Sequence, residues 1–123
     1  MTDRDPPLPQ PSFFERAPRG PVRGPWQPPA DVYRTRDGWL VKLELAGVRP
    51  DELEIQISGT KLRVSGVRRD FVIREAEHAH SMEISYNRFE RTLDFPERLD
   101  HCAMETRYQD GMLLVTLRRN GRD

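Results

Sequence analysis

The sequence predicts an all-β fold, an antiparallel sandwich preceded by a proline-rich arm. Three observations carry that expectation. From residue 30 onward apolar residues recur with a period of two, the period of a half-buried strand. Turn-forming glycines and prolines separate the alternating runs. No stretch carries the sustained apolar spacing of an amphipathic helix. Nine of the 11 prolines lie before residue 30, which divides the 123-residue chain into an arm (1–29), a patterned domain (30–119) and a short tail (120–123).

The arm's prolines, at 6, 7, 9, 11, 18, 21, 25, 28 and 29, exclude a long helix or an internal strand, so the arm is expected to be disordered or locally extended. It nevertheless carries Phe13, Phe14 and Trp26, three large apolar residues with no core of their own. "SFFE" at 12–15 has capping-box spacing for a single helical turn. Exposed clusters of this kind mark interaction sites.

The first expected strand is Val32–Thr35. Trp39, Val41, Leu43 and Leu45 then alternate with Leu40, Lys42 and Glu44. "AGVRPDE" at 46–52 is a turn broken by Gly47 and Pro50. Leu53, Ile55 and Ile57 alternate with Glu54, Gln56 and Ser58, and "SGTK" at 58–61 turns the chain into a hairpin whose second strand runs from Leu62 through Val64 and Val67 toward Arg68.

Residues 69–84, "RDFVIREAEHAHSMEI", are the least regular stretch, and a loop of that length in a small domain is usually functional. The next strand contains "FERTLDF" at 89–95 and ends at Pro96. Its core face would collect Phe89, Leu93 and Phe95 but also Arg91. An unpaired buried charge is too costly to be filler, so Arg91 must reach water along its aliphatic stem or find a carboxylate. "PERLDHC" connects to a strand at Met104–Tyr108, "QDG" at 109–111 makes a hairpin turn, and Met112–Arg118 closes the domain. That last strand is apolar on both faces, as a central or doubly covered strand would be.

Charge and motifs narrow the function. Twenty basic residues balance 20 acidic ones along the chain, without the uncompensated basic stripe that nucleic acid requires. The N-terminus lacks signal-peptide character and no apolar run is long enough to span a membrane, so a cytoplasmic protein with no membrane partner is expected. Cys102 is the only cysteine, which excludes an internal disulfide. In "DHC" at 100–102 neighbouring side chains of an extended segment diverge, so no nucleophile–base pair forms there. Phosphate-cradling glycine loops are missing too. His78 and His80, with Glu75 and Glu77 nearby, fall short of the four fixed ligands of a structural metal site. No enzymatic activity, metal or other cofactor is expected.

Four motifs, in order, carry a resemblance. "DVYRTRDGWLVKLELAGVRPDELEIQI", "KLRVSGVRR", "EISYNRFERTLDFP" and "YQDGMLLVTLRR" resemble successive strands of the α-crystallin domain of small heat-shock proteins, across about 90 residues. The resemblance implies an immunoglobulin-like sandwich and an ATP-independent holdase chaperone that binds partly unfolded client proteins. A co-chaperone or scaffold with one native partner is the alternative. It implies capture of clients by Phe13, Phe14 and Trp26 and by an apolar groove of Leu53, Ile55, Ile57, Met112 and Leu114. It places Arg91 in an ion-pair network near a homodimer interface. It also implies that Ala79, His80, Ser81, Met82, Glu83 and Ile84 form a short strand that crosses to the partner's sheet. Three positions depart from the family pattern: Asn87 stands where glycine is usual, Thr106 where alanine is frequent, and Ala46 where proline is usual. No I-x-I motif follows the last strand, which leads to the expectation of a dimer rather than a large shell.

Overall fold

The computed structural model describes residues 25–71 and 73–120. The alternating runs become strands β1 (Ala30–Arg34), β2 (Gly38–Glu44), β3 (Glu54–Ser58), β4 (Lys61–Arg68), β5 (Asn87–Asp94), β6 (Cys102–Gln109) and β7 (Met112–Arg119). Helical structure among the described residues is confined to a 3-10 turn at Pro50–Glu52, inside the predicted "AGVRPDE" turn. Strand ends shift by one or two residues. β1 is Ala30–Arg34 rather than Val32–Thr35, β6 runs two residues further back and one further on than Met104–Tyr108, and β7 reaches Arg119 rather than Arg118.

The strands form two antiparallel sheets, ordered β1-β2-β7-β6 and β3-β4-β5. Alternation decides which side chains meet between them. Trp39, Val41, Leu43 and Leu45 face Leu62, Val64 and Phe89 across the core, joined by Leu113, Val115 and Leu117 and sealed by Val48, Phe95 and Leu99. β7 takes the central place its double apolar pattern implied, with β2 on one side and β6 on the other. Only one of its faces is covered.

Local chemistry sets the turns. In the β6–β7 hairpin both central residues, Asp110 (φ 53°) and Gly111 (φ 81°), are left-handed, as a type I′ turn requires. Gly66 lies opposite Phe89 in the β4–β5 pair, and a Cβ there would stand 2.8 Å from the Phe89 ring. The ring fits because the facing residue has no side chain.

At one end of the sandwich, Glu97 gathers three partners. Its Oε2 accepts hydrogen bonds from Trp39 Nε1 and Arg119 NH1, both at 3.0 Å, while Arg34 approaches Oε1 at 3.8 Å. The Trp39 ring packs edge-on against Phe95 and lies under the Arg34 guanidinium. β1, β2, β7 and the segment after β5 are thus tied together by strand-borne or strand-adjacent side chains.

Candidate functional site

Arg91 lies on the core-facing side of β5, beside Phe89 and Leu93 and opposite Val64, and is partly buried. Its NH1 donates to the backbone carbonyl of Pro28 at 2.8 Å. Among the described residues it forms no ion pair, so within one chain the expected carboxylate is replaced by a peptide oxygen. The sequence offered no signal for this, because the acceptor belongs to the main chain of a residue 63 positions away.

That acceptor lies in a stretch expected to be free arm. Instead, residues 25–29 run along the open edge of β5. Trp26 N donates to Arg88 O and Glu90 N to Trp26 O, at 3.2 and 3.0 Å, a parallel bridge beside Phe89. The indole packs on Phe89 with centroids 5.4 Å apart, and Pro28 is fully buried. The reading of Trp26 as lacking a core is therefore corrected: Phe89 supplies one. Prolines around it forbid an internal strand but not a single bridge at a sheet edge. Phe13 and Phe14 lie outside the described residues.

The same indole meets Arg68, at the end of β4. The guanidinium sits 4.5 Å above the ring, donates from Nε to Ala46 O at 3.0 Å and from NH1 to Ser85 O at 3.1 Å, and approaches Glu44 at 3.6 Å. Its side chain is 12% exposed. Arg68 was invisible as a site in the sequence, where it reads as one more arginine at a strand end. Next to it Asn87 takes φ 74°, and its carbonyl accepts Trp26 Nε1 at 3.2 Å. The left-handed backbone explains why asparagine can stand where the resembling family usually has glycine, since these two residue types tolerate that region best.

Between β4 and β5 the loop contains no strand among its described residues. Ala79, His80, Ser81, Met82, Glu83 and Ile84 are all exposed and outside either sheet. Phe71 is 80% exposed, Met82 63% and Ile84 66%, an apolar display that the subunit itself does not cover.

The expected groove needs one correction. Leu53, Ile55 and Ile57 are partly buried and pack against the core from the β3 side. Met112 and Leu114 do not join them. They alternate with the buried Leu113, Val115 and Leu117 and so point to the outer face of the four-stranded sheet, Leu114 between Lys42 and Arg107. The residues of that sheet sharing the inner side at its β6 edge are Cys102, Met104, Thr106 and Tyr108, paired with Arg119, Leu117, Val115 and Leu113. Met104 is 41% exposed, and the Tyr108 hydroxyl donates to Leu45 O at 2.7 Å. The alternation of β6 was the available signal; which strand faces β3 was not.

Electrostatics give no reactive centre. Burial, then the neighbouring Glu97, pushes the Cys102 thiol up, which disfavours a nucleophilic thiolate. A 2.7 Å hydrogen bond from Arg63 holds Glu90 below the usual carboxylate range, and hydrogen bonds from Thr60 and Lys61 do the same for Asp94. These are surface pairs that fasten β4 to β5 and its flanking turn. Among the described residues no cluster of three or more histidines, cysteines or acidic residues is placed to hold a metal, and no helix is long and apolar enough to cross a membrane.

The described residues thus form a two-sheet sandwich with an exposed loop before the strand that carries Phe89 and Arg91. The model of the Hsp20/alpha crystallin family matches residues 31–123. The chain belongs to the Hsp20/alpha crystallin family. The 22.7 kDa class IV heat shock protein of Pisum sativum is 28% identical over 94 residues, 76% of this chain and 48% of that protein. Heat shock protein DDB_G0280215 of Dictyostelium discoideum is 28% identical over 96 residues, 78% of this chain and 23% of that protein. The chain thus matches about half or less of the length of these relatives. Among solved structures, HSP18.5 from E. histolytica superposes with a TM-score of 0.61 at 28% identity, covering 76% of this chain and 88% of that one. Small heat-shock proteins are generally chaperones and not enzymes. In this Hsp20 domain, β5 carries Arg91 and receives Trp26.

Proposed function

We propose that this chain is an ATP-independent holdase: it binds partly unfolded proteins through apolar surface and keeps them from aggregating. The observation that carries the reading is the apolar display left open on a single subunit: Phe71, Ile73, Met82 and Ile84 on the loop, Met104 on β6, and the partly buried Leu53, Ile55 and Ile57. Apolar surface of this kind associates non-specifically with the exposed cores of destabilised proteins, and withdrawing those species slows their aggregation. Phe13 and Phe14 would add to the capture surface.

In the same reading two subunits pair through the loop. Among the described residues the segment Ala79–Ile84 joins neither sheet, and β1 is an edge strand that carries the exposed Val32 and Tyr33. Adding that segment as a strand would extend the β1 edge. Arg91 would stabilise this homodimer from within the subunit. The single cysteine suits a reducing, cytoplasmic setting.

The test is light scattering of a heat-labile client with and without the protein, each with and without ATP. Suppression that is independent of ATP supports the reading. Suppression only with ATP, or none at a molar excess of the protein, overturns it, and stable binding to one folded partner alone would favour a scaffold instead.

A further inference from the structure

We propose that Arg68 couples the N-terminal segment to the loop before β5, so that lifting Trp26 off the sandwich loosens the loop. The coupling rests on the contacts one guanidinium makes. Its face is covered by the Trp26 ring at 4.5 Å, its Nε holds Ala46 O, and its NH1 holds Ser85 O, the last anchored point of the loop before β5. A side chain that is 12% exposed makes these bonds in surroundings of reduced dielectric, where they are stronger than in water.

Removing the indole has two consequences at once. Water reaches the guanidinium and competes with Ser85 O, and the guanidinium, no longer held under the ring, is free to leave that carbonyl. The first residue of β5, where the loop ends, also loses a link, the Trp26 Nε1 bond to Asn87 O. The two links meet the end of the loop and the start of β5, so a change at residue 26 is delivered to Ser85 and Asn87. The converse holds by reciprocity: a partner that draws the loop away from Arg68 lowers the affinity of the sandwich for Trp26 and releases the N-terminal segment. Arg68 is a positioning residue in this scheme. The effect on subunit pairing rests on the proposed role of the loop; the coupling does not.

The decisive measurement is backbone 15N relaxation on the full chain, comparing the parent protein with Trp26→Ala, Trp26→Phe, Arg68→Lys and the Trp26→Ala/Arg68→Lys double variant. In Trp26→Ala, the order parameters of Ser85 and Tyr86 are expected to fall toward about 0.6 while those of β7 stay near about 0.85. Trp26→Phe, which keeps an aromatic face, should recover part of the loss. Arg68→Lys keeps the charge and the fold but not the fork, and in its background Trp26→Ala should add little. Unchanged loop order in Trp26→Ala, or an equal loss with and without Arg68, overturns the proposal. Sedimentation on the same variants reads the consequence: a dimer dissociation constant raised about three- to thirtyfold in Trp26→Ala, the range of a partly desolvated cation–π contact. A parent protein that is monomeric at every concentration would remove the dimer reading and leave the order parameters to decide the coupling.

Discussion

The two ends of the sandwich each set arginine against a tryptophan, but the tryptophans come from different sources. At the Glu97 end, the indole of Trp39 belongs to β2, is buried in the core and gives its N–H to a carboxylate. At the Arg68 end, the indole of Trp26 comes from outside the strands, is partly buried, and gives its N–H to a main-chain carbonyl. The first end can open only if the sheet opens. The second can open by moving a short segment outside the strands, held by the Trp26 bridge and indole, the buried Pro28 and the bonds to Pro28 O and Pro29 O. Equal chemistry, built on elements of unequal attachment, gives one rigid end and one that can be exchanged.

The largest effect should come from breaking the rigid end. Trp39→Ala removes a buried aromatic packed on Phe95 and is expected to cost about 3–5 kcal/mol, lowering Tm throughout the domain. Trp26→Ala should cost less, about 1–2 kcal/mol, with the core strands retaining their protection. Thermal melts monitored by far-UV circular dichroism separate the two, and equal losses would erase the contrast between the ends. Next comes Glu97→Ala, which leaves the part-buried Trp39 N–H without its acceptor at about 1–3 kcal/mol, while the half-exposed Arg34 and Arg119 turn to solvent. Glu97→Gln, which keeps an acceptor, should recover most of it.

Arg91 sharpens the comparison from within β5, because it ties that strand to the N-terminal segment through Pro28. Arg91→Ala should cost about 1 kcal/mol in the subunit, with Arg88→Ala, on the exposed face, within about 0.5 kcal/mol of the parent. Urea melts resolve the pair. A further weakening of self-association by Arg91→Ala in sedimentation would show that its role extends to the interface.

The smallest effect is acid dependence. Glu90 and Asp94 have depressed pKa values in the folded state, so their stabilisation is present above the ordinary carboxylate pKa of about 4 and is lost as pH falls through the lower folded-state values. Glu90→Gln should therefore melt slightly below the parent near neutral pH and match it in strong acid. Asp94 is exposed and Glu90 half-buried, both within reach of solvent screening, so the gap stays small.

Much of this protein was legible in its residues. The period of two placed the strands within a few positions, because backbone pleating alone sends successive side chains to opposite faces. "SGTK" and "QDG" declared their hairpins through residues that tolerate left-handed backbone, and the Phe-x-Arg strand carried the family resemblance. Alternation also contained the correct parity of Met112 and Leu114, opposite to that of Leu113 and Val115. What parity cannot say is which sheet lies across the core, so these two residues were joined to the wrong groove.

The remaining features were decided by tertiary structure, for one physical reason: they depend on groups that carry no sequence signal. Arg91 and Arg68 are satisfied by the carbonyls of Pro28, Ala46 and Ser85, and every residue offers the same carbonyl. Trp26 sits among prolines, with no period to announce a face, and acquires its partner only when β4 and β5 have paired and brought Phe89 and Arg68 to one edge. The sequence by itself determined the strands, the turns and the family. Only the folded chain decided which arginine holds the movable end.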